Sequence, residues 1–333
     1  MKILINLIGT GISNNGGSRT LIRSANILQK LGQDVVILNN KLNHVYNWDK
    51  IEVPILAPNV INNIPNADVV IGTGYGSWEK TIKLPNRCGK KFIWCRGWEI
   101  WQAPENKLIE LLGHEKIKLI VNSICIQDKL KEFNIDSKII RPGYDFDELK
   151  PLNIRQNKQG ITIGGLYSKG DKRKSKRVEW IFEIVNRLKK DLNITLSMFG
   201  AEGAPSVKEP FNTFSSNPTF KTKNLIYNSC DIWLAPTCND SLHLPPAEAM
   251  ITECCIVGTN AKMNGMKDYL IGMETGIISK NTIDDFESSI RFIIDKPDLR
   301  LELGKNARKK ILSLGSREEN MNKLIKYLED NML

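Results

Sequence analysis

The sequence is poor in histidine and lacks any paired-cysteine motif, and each shortage removes a class of chemistry. Its three histidines, His44, His114 and His243, share no metal-ligand spacing, so no metal site is expected. Seven cysteines, an odd number without one C-x-x-C pair, exclude zinc-ribbon, ferredoxin and thioredoxin readings. Cys125, Cys230, Cys254 and Cys255 stand in apolar surroundings, where free cysteine acts as a small core residue. No apolar run approaches the ~20 residues that cross a bilayer. The opening Met1–Ile8 runs straight into Gly9-Thr10-Gly11, with no signal-peptide cleavage pattern. A cytoplasmic protein with reduced thiols is expected.

What is present is a chain of 333 residues, about twice the ~150-residue prior for one domain. With 41% hydrophobic and 25% charged residues it has a globular composition. The net charge of +10 suits nucleic acid, an anionic membrane surface or phosphorylated substrates equally well. The excess is shared evenly between the halves divided at residue 150, so any informative charge is local.

Apolar β-type runs alternate with segments of helical period, the pattern of a parallel sheet covered on both faces. Strands are predicted over 2–8, 34–38, 68–72, 90–94, 118–121 and 137–140. A helix over 17–31 carries Leu21, Ile22, Ala25, Leu28 and Leu31 on one stripe. Asn122-Ser123 reads as the cap of a helix running to Phe133. Arg141-Pro142-Gly143 breaks the last of these strands, and the polar segment Tyr144–Asn157 sets a boundary near residue 150. The alternation then repeats, with strands over 161–164, 193–199, 231–235 and 254–258 and helices over 175–190 and 244–252. The chain is mostly helical from Thr282. Two doubly wound sheets facing a central cleft are expected, and ligands of such sheets gather at the carboxyl ends of the strands.

Residues just after strands are therefore the ones to read. Gly9–Arg19 is a glycine-rich loop opening a helix, either an anion cradle or a plain connection. Asn14 stands where the third glycine of G-x-G-x-x-G would be. Lys169–Arg177 holds six basic residues in nine, the densest positive field in the chain. It is either a solvated face or a diphosphate site at a helix start. In Cys238-Asn239-Asp240-Ser241-Leu242-His243-Leu244-Pro245-Pro246-Ala247-Glu248, Asp240 falls in a loop and Glu248 in the first turn of the next helix. Both carboxylates can accept from sugar hydroxyls while the helix start binds phosphate; the alternative is that Glu248 only complements the helix dipole. Phe92–Trp101 puts three of the seven tryptophans at a strand end, with Arg96 and Glu99 between them. Trp94 suits the core, and Trp98 and Trp101 suit stacking on a sugar or base.

This constellation resembles the large retaining glycosyltransferase family numbered four, of GT-B fold, within the glycosyl transferases group 1. The likeness is densest over Asp231–Asn260, where Leu244–Met250 and Cys255–Asn260 match that family's Glu-x7-Glu helix and following strand. Gly16-Gly17, Arg141–Asp145 and Asn306-Ala307-Arg308 add to it. The resemblance implies an acceptor-side Rossmann-like domain over 1–150 and a donor domain over 151–315. It also implies a last helix within 316–333 that crosses back to the first domain. By the same resemblance Glu248 holds the nucleotide ribose, Lys174 and the neighbouring Arg173 the donor diphosphate, and Ser241 and Leu242 offer backbone N–H groups. Gly16 and Gly17 let the first loop approach the donor. Asp240 replaces the first glutamate, and Arg96 occupies an active-site histidine position. The family's arginine before the phosphate lysine has no counterpart at Leu166–Ser168, where Lys169 or Arg173 can substitute.

The implied activity is metal-independent, retaining transfer from a nucleoside diphosphate sugar of UDP or GDP type, with no prosthetic group. Asp240, Arg96 and Lys174 orient the sugar and stabilise charge. The acceptor is a carbohydrate, a lipid-linked glycan at the cytoplasmic membrane face, or a modified base in DNA. A nucleotide-sugar epimerase or hydrolase of the same fold is the alternative chemistry.

Overall fold

A computed structural model describes residues 1–40, 46–155, 159–201 and 210–332, apart from the side chains of Asp171 and Lys172. It divides into two compact units, one of residues 1–143 with 315–333 and one of residues 144–314.

In the first unit the strands are β1 (Lys2–Asn6), β2 (Asp34–Leu38), β3 (Ile55–Leu56), β4 (Val69–Gly72), β5 (Lys90–Cys95), β6 (Ile117–Val121) and β7 (Lys138–Ile139). Helices α1 (Gly16–Lys30), α2 (Tyr75–Ile82), α3 (Glu105–Leu112) and α4 (Ile124–Lys131) lie between them. Among the described residues the sheet is parallel throughout, in the order β3-β2-β1-β4-β5-β6-β7. Its central strands are unbroken apolar runs because both faces are covered: Ile3, Leu4, Val69, Val70, Phe92 and Ile93 are fully buried. The expected cap at Ser123 is not made by its side chain, although Ser123 stands at that position. Its hydroxyl meets the Cys125 thiol instead.

The second unit holds β8 (Ile161–Leu166), α5 (Gly170–Lys176), α6 (Val178–Leu188), β9 (Ile194–Gly200), β10 (Thr213–Ser216) and α7 (Phe220–Ser229). Then come β11 (Ile232–Ala235), β12 (Asn239–Asp240), α8 (Leu244–Ile251), β13 (Cys255–Thr259), β14 (Met263–Asn264) and β15 (Ile277–Ser279). Helices α9 (Ile283–Ile294) and α10 (Pro297–Ser313) close it. Its main sheet runs β10-β9-β8-β11-β13-β15, and β12 pairs with β14 separately. The helix expected over 175–190 is two helices. Arg177, in the left-handed region at φ 49°, ends α5 and begins α6. No glycine announces that break, so helical periodicity read straight through it.

The last helix, α11 (Arg317–Asp330), belongs to the first unit. It opens with a capping box between Ser316 and Glu319. Met321, Leu324 and Leu328, all fully buried, complete a core with Ile3, Ile5, Leu21, Ile22 and Ala25. At the crossing Gly143 has φ 75°, and a Cβ there would stand 2.4 Å from the Arg317 Cα, so only glycine lets the two segments meet. Leu324→Ala should lower stability by about 2–5 kcal/mol, read as a reduced midpoint in urea unfolding with an unchanged slope.

Candidate active site

Helix α5 ends against the segment that follows β11. The Ser175 carbonyl accepts from the Thr237 hydroxyl at 3.0 Å and from the Cys238 N–H at 3.0 Å. This stitching carries Lys176 to Asp240, whose Oδ2 accepts its ammonium in a close ion pair. Asp240 was expected in a loop; it lies in β12, held by pairing with Asn264 of β14. Arg173 is turned to the wall, ion-paired with Glu179, 3.1 Å from the Tyr167 hydroxyl and over the Tyr167 and Phe182 rings. Lys174 is exposed. The basic residue brought to the carboxylate is Lys176; once Arg177 breaks the helix, Lys176 is the last residue of α5 and faces β12.

Ser241, Leu242 and His243 form the turn into α8. Gly265 packs directly beneath it, since a Cβ there would be 2.3 Å from the Ser241 carbonyl oxygen. The Tyr269 hydroxyl donates to the His243 carbonyl at 2.6 Å. His243 occupies the left-handed region at φ 42° as the N-cap residue, making no side-chain cap. Its Nδ1 is buried without a partner. Burial, reinforced by the Lys176 charge, holds this imidazole well below its ordinary 6.5. Pro245 and Pro246 carry no N–H, so of the first three residues of α8 Leu244 alone has a backbone donor.

Glu248 lies beyond that first turn, out of effective reach of the helix dipole. Its partners are on α7. The Lys223 ammonium donates to Oε1 at 2.8 Å and Oε2 at 2.7 Å, and the Tyr227 hydroxyl donates to Oε2 at 2.6 Å. Both charged side chains are nearly out of solvent, 8% and 13% exposed. Burial, with Glu248 beside it, raises Tyr227 well above its ordinary value and keeps it protonated. Among the described residues three of the four acceptor positions of the carboxylate are therefore used, leaving one on Oε1. Lys223 and Tyr227 were not singled out from the sequence. Their signal is the i, i+4 spacing, which puts both on one helix face.

In the first unit the structure joins Arg96 to the glycine loop. Arg96 Nη1 donates to the Gly17 carbonyl at 2.7 Å and Nε to the Thr73 hydroxyl at 2.7 Å. Burial draws its guanidinium down to about 10, against the pull of Glu99. A Cβ on Gly16 would meet nothing within 4 Å. The start of α1 is capped internally, with Asn15 Oδ1 accepting from the Ser18 N–H at 2.8 Å. Trp98, expected to be open for stacking, is buried: its Nε1 donates to Glu105 at 2.9 Å and its ring stacks on Phe133. Trp101 is 66% exposed. His44 lies outside the described residues, and His114 and His243 are in different units. No helix among the described residues is long and apolar enough to cross a membrane.

Residues 167–310, which contain Lys176, Asp240 and Glu248, match the family model for glycosyl transferases group 1. The second unit carries a group 1 glycosyl transferase domain. The fold of the chain is GT-B. Sucrose-phosphate synthase from Thermosynechococcus elongatus superposes with a TM-score of 0.77 at 12% identity, covering 99% of this chain and 98% of that one. A Rickettsia africae glycosyltransferase gives 0.77 at 16% identity over 99% and 98%. Anabaena HepE in complex with UDP-glucose gives 0.77 at 12% identity over 99% and 100%. No curated protein sequence is matched.

Two measurements probe this GT-B site. Lys223→Met leaves the Glu248 carboxylate in place without its cation and should cost about 3–5 kcal/mol, whereas Lys223→Met/Glu248→Leu together should recover part of that loss in chemical denaturation. For His243, the unfolded chain takes up a proton below pH 6.5 that the folded chain refuses. Stability should therefore fall as pH drops from 7.5 to 5.5, and His243→Asn, which tolerates the left-handed backbone and does not titrate, should lose less over that interval.

Proposed function

We propose that the protein is a retaining glycosyltransferase that moves a sugar from a nucleoside diphosphate sugar to an acceptor hydroxyl in polysaccharide or glycoconjugate synthesis, without a metal ion. The observation carrying this reading is the Lys176–Asp240 ion pair at the mouth of α8, inside the group 1 segment. A cation and a carboxylate set side by side match a donor that is anionic at its diphosphate and hydroxylated at its sugar.

In this reading Lys176 moves from Asp240 to the diphosphate as charge builds on the leaving group, and the Leu244 N–H faces the same oxygens. The exposed Lys174 is assigned to the distal phosphate, and Arg173 braces α5 through its aromatic and Glu179 contacts. The backbone of Ser241 and Leu242 borders the sugar, which Asp240 orients. Glu248 accepts from one ribose hydroxyl at its open Oε1 position, with Lys223 and Tyr227 fixing the carboxylate. In the first unit Arg96, tied to Gly17, is assigned to sugar orientation, and Gly16 leaves backbone open to a ligand. A UDP donor is favoured over GDP by the likeness to a structure that holds UDP-glucose. A carbohydrate acceptor is favoured over lipid-linked or nucleic-acid ones, for which the site offers no separate feature.

The test is release of nucleoside diphosphate from a panel of UDP- and GDP-sugars. Lys176→Ala, Asp240→Asn and Glu248→Ala should each slow release about 100-fold or more, while EDTA leaves the parent rate unchanged. Variants as active as the parent would refute the site, and sugar released or isomerised at the parent rate without acceptor would indicate a hydrolase or epimerase.

A further inference from the structure

The loop after β5 is anchored on one side and left open on the other. Trp98 fixes it from beneath, against Phe133 and Glu105. Three residues on, Trp101 stands 66% exposed, an unusual place for the largest apolar side chain. Between them Glu99 is only 9% exposed. Its Oε2 accepts the Tyr75 N–H at 3.2 Å, while Oε1 takes no hydrogen bond among the described residues and is not one of the sealed, unpartnered polar atoms.

Gly97 brings these groups to one spot. A Cβ built on it would lie 3.7 Å from Cη2 of Trp101, 3.5 Å from Cγ of Glu99 and 4.0 Å from its Oε1. All three are ordinary contact distances. The absent side chain therefore leaves a notch bordered by an indole edge and an unengaged carboxylate oxygen, on a loop whose base is packed.

We propose that Gly97, Glu99 and Trp101 form a carbohydrate subsite that takes one pyranose ring of the acceptor. A pyranose has an apolar C–H face and a rim of hydroxyl donors. The indole suits the first, and an acceptor-only oxygen suits the second. One carboxylate oxygen holds the Tyr75 N–H, and the other is left for a ligand. Burial raises Glu99 above its ordinary value, with the Tyr75 N–H and the neighbouring Arg96 acting against that rise. A nucleotide is the poorer occupant, since its phosphates would be repelled by the Glu99 carboxylate.

That the ring belongs to an acceptor rests on the transferase reading; that a carbohydrate binds does not. The experiment uses the full chain labelled with 5-fluorotryptophan, the Trp101 resonance being assigned by its loss in Trp101→Phe. Methyl glycosides of glucose, galactose, mannose and N-acetylglucosamine, and their disaccharides, are titrated in turn. At least one should shift the Trp101 signal saturably. Its apparent Kd should rise tenfold or more in Gly97→Ala, where a methyl fills the notch, and in Glu99→Gln, where a donor replaces the acceptor. Unchanged thermal midpoints in both variants exclude misfolding as the cause. No saturable shift with any glycoside, an unaltered Kd in Gly97→Ala, or a shift with UDP but no sugar would overturn the proposal. Separate calorimetric titration of the parent with UDP-glucose reports on the donor reading, so either can fail alone.

Discussion

Glu248 leaves water because Lys223 and Tyr227 leave it too: an ammonium spans both oxygens and a phenol closes one of them. Isolated, that carboxylate would be costly at 13% exposure. Together the three groups tie α7 to α8, and their surroundings follow from the tie. Tyr227 packs edge-on against Trp233 and Phe199, so the polar contact at one end of the ring fixes an aromatic cluster at the other. The interior end of α8 is sealed in turn by α10, where Ala307 is fully buried and Arg308 reaches the Ile251 carbonyl.

The alternation of apolar runs with helical periods made the α/β class legible, because a parallel sheet covered on both faces leaves its strands apolar throughout. Short edge strands such as β3 and β15 carry too few residues to show a period. The break at Arg177 was invisible for a different reason. Left-handed backbone is signalled by glycine or asparagine, and here an arginine adopts it with its guanidinium over the Trp180 ring, 4.1 Å from the centroid.

The same limit governs the site. Asp240 and Glu248 stood out through their spacing, but which lysine meets Asp240 depended on where α5 stops. Trp98 and Trp101 look alike in sequence, and the choice between them was made by Phe133 and Glu105, which local reading does not connect to them. The loop before α1 taught the converse. Its glycines left an anion cradle and a plain connection both open; Asn15 caps the Ser18 N–H, and the Gly17 carbonyl, in the first turn of α1, accepts from Arg96.

The placement of α11 sets an order of events during synthesis. The residues that finish the first unit's core, Met321 to Leu328, leave the ribosome after the whole of the second unit. At 5–20 residues per second that is a wait of roughly ten to forty seconds. Throughout it the faces of Ile3, Ile5 and Ile22 that α11 will cover are open to water, and by its end the second unit has every strand it needs. The later-made half of this chain can therefore fold first, and the earlier half needs protection from aggregation until the final helix docks.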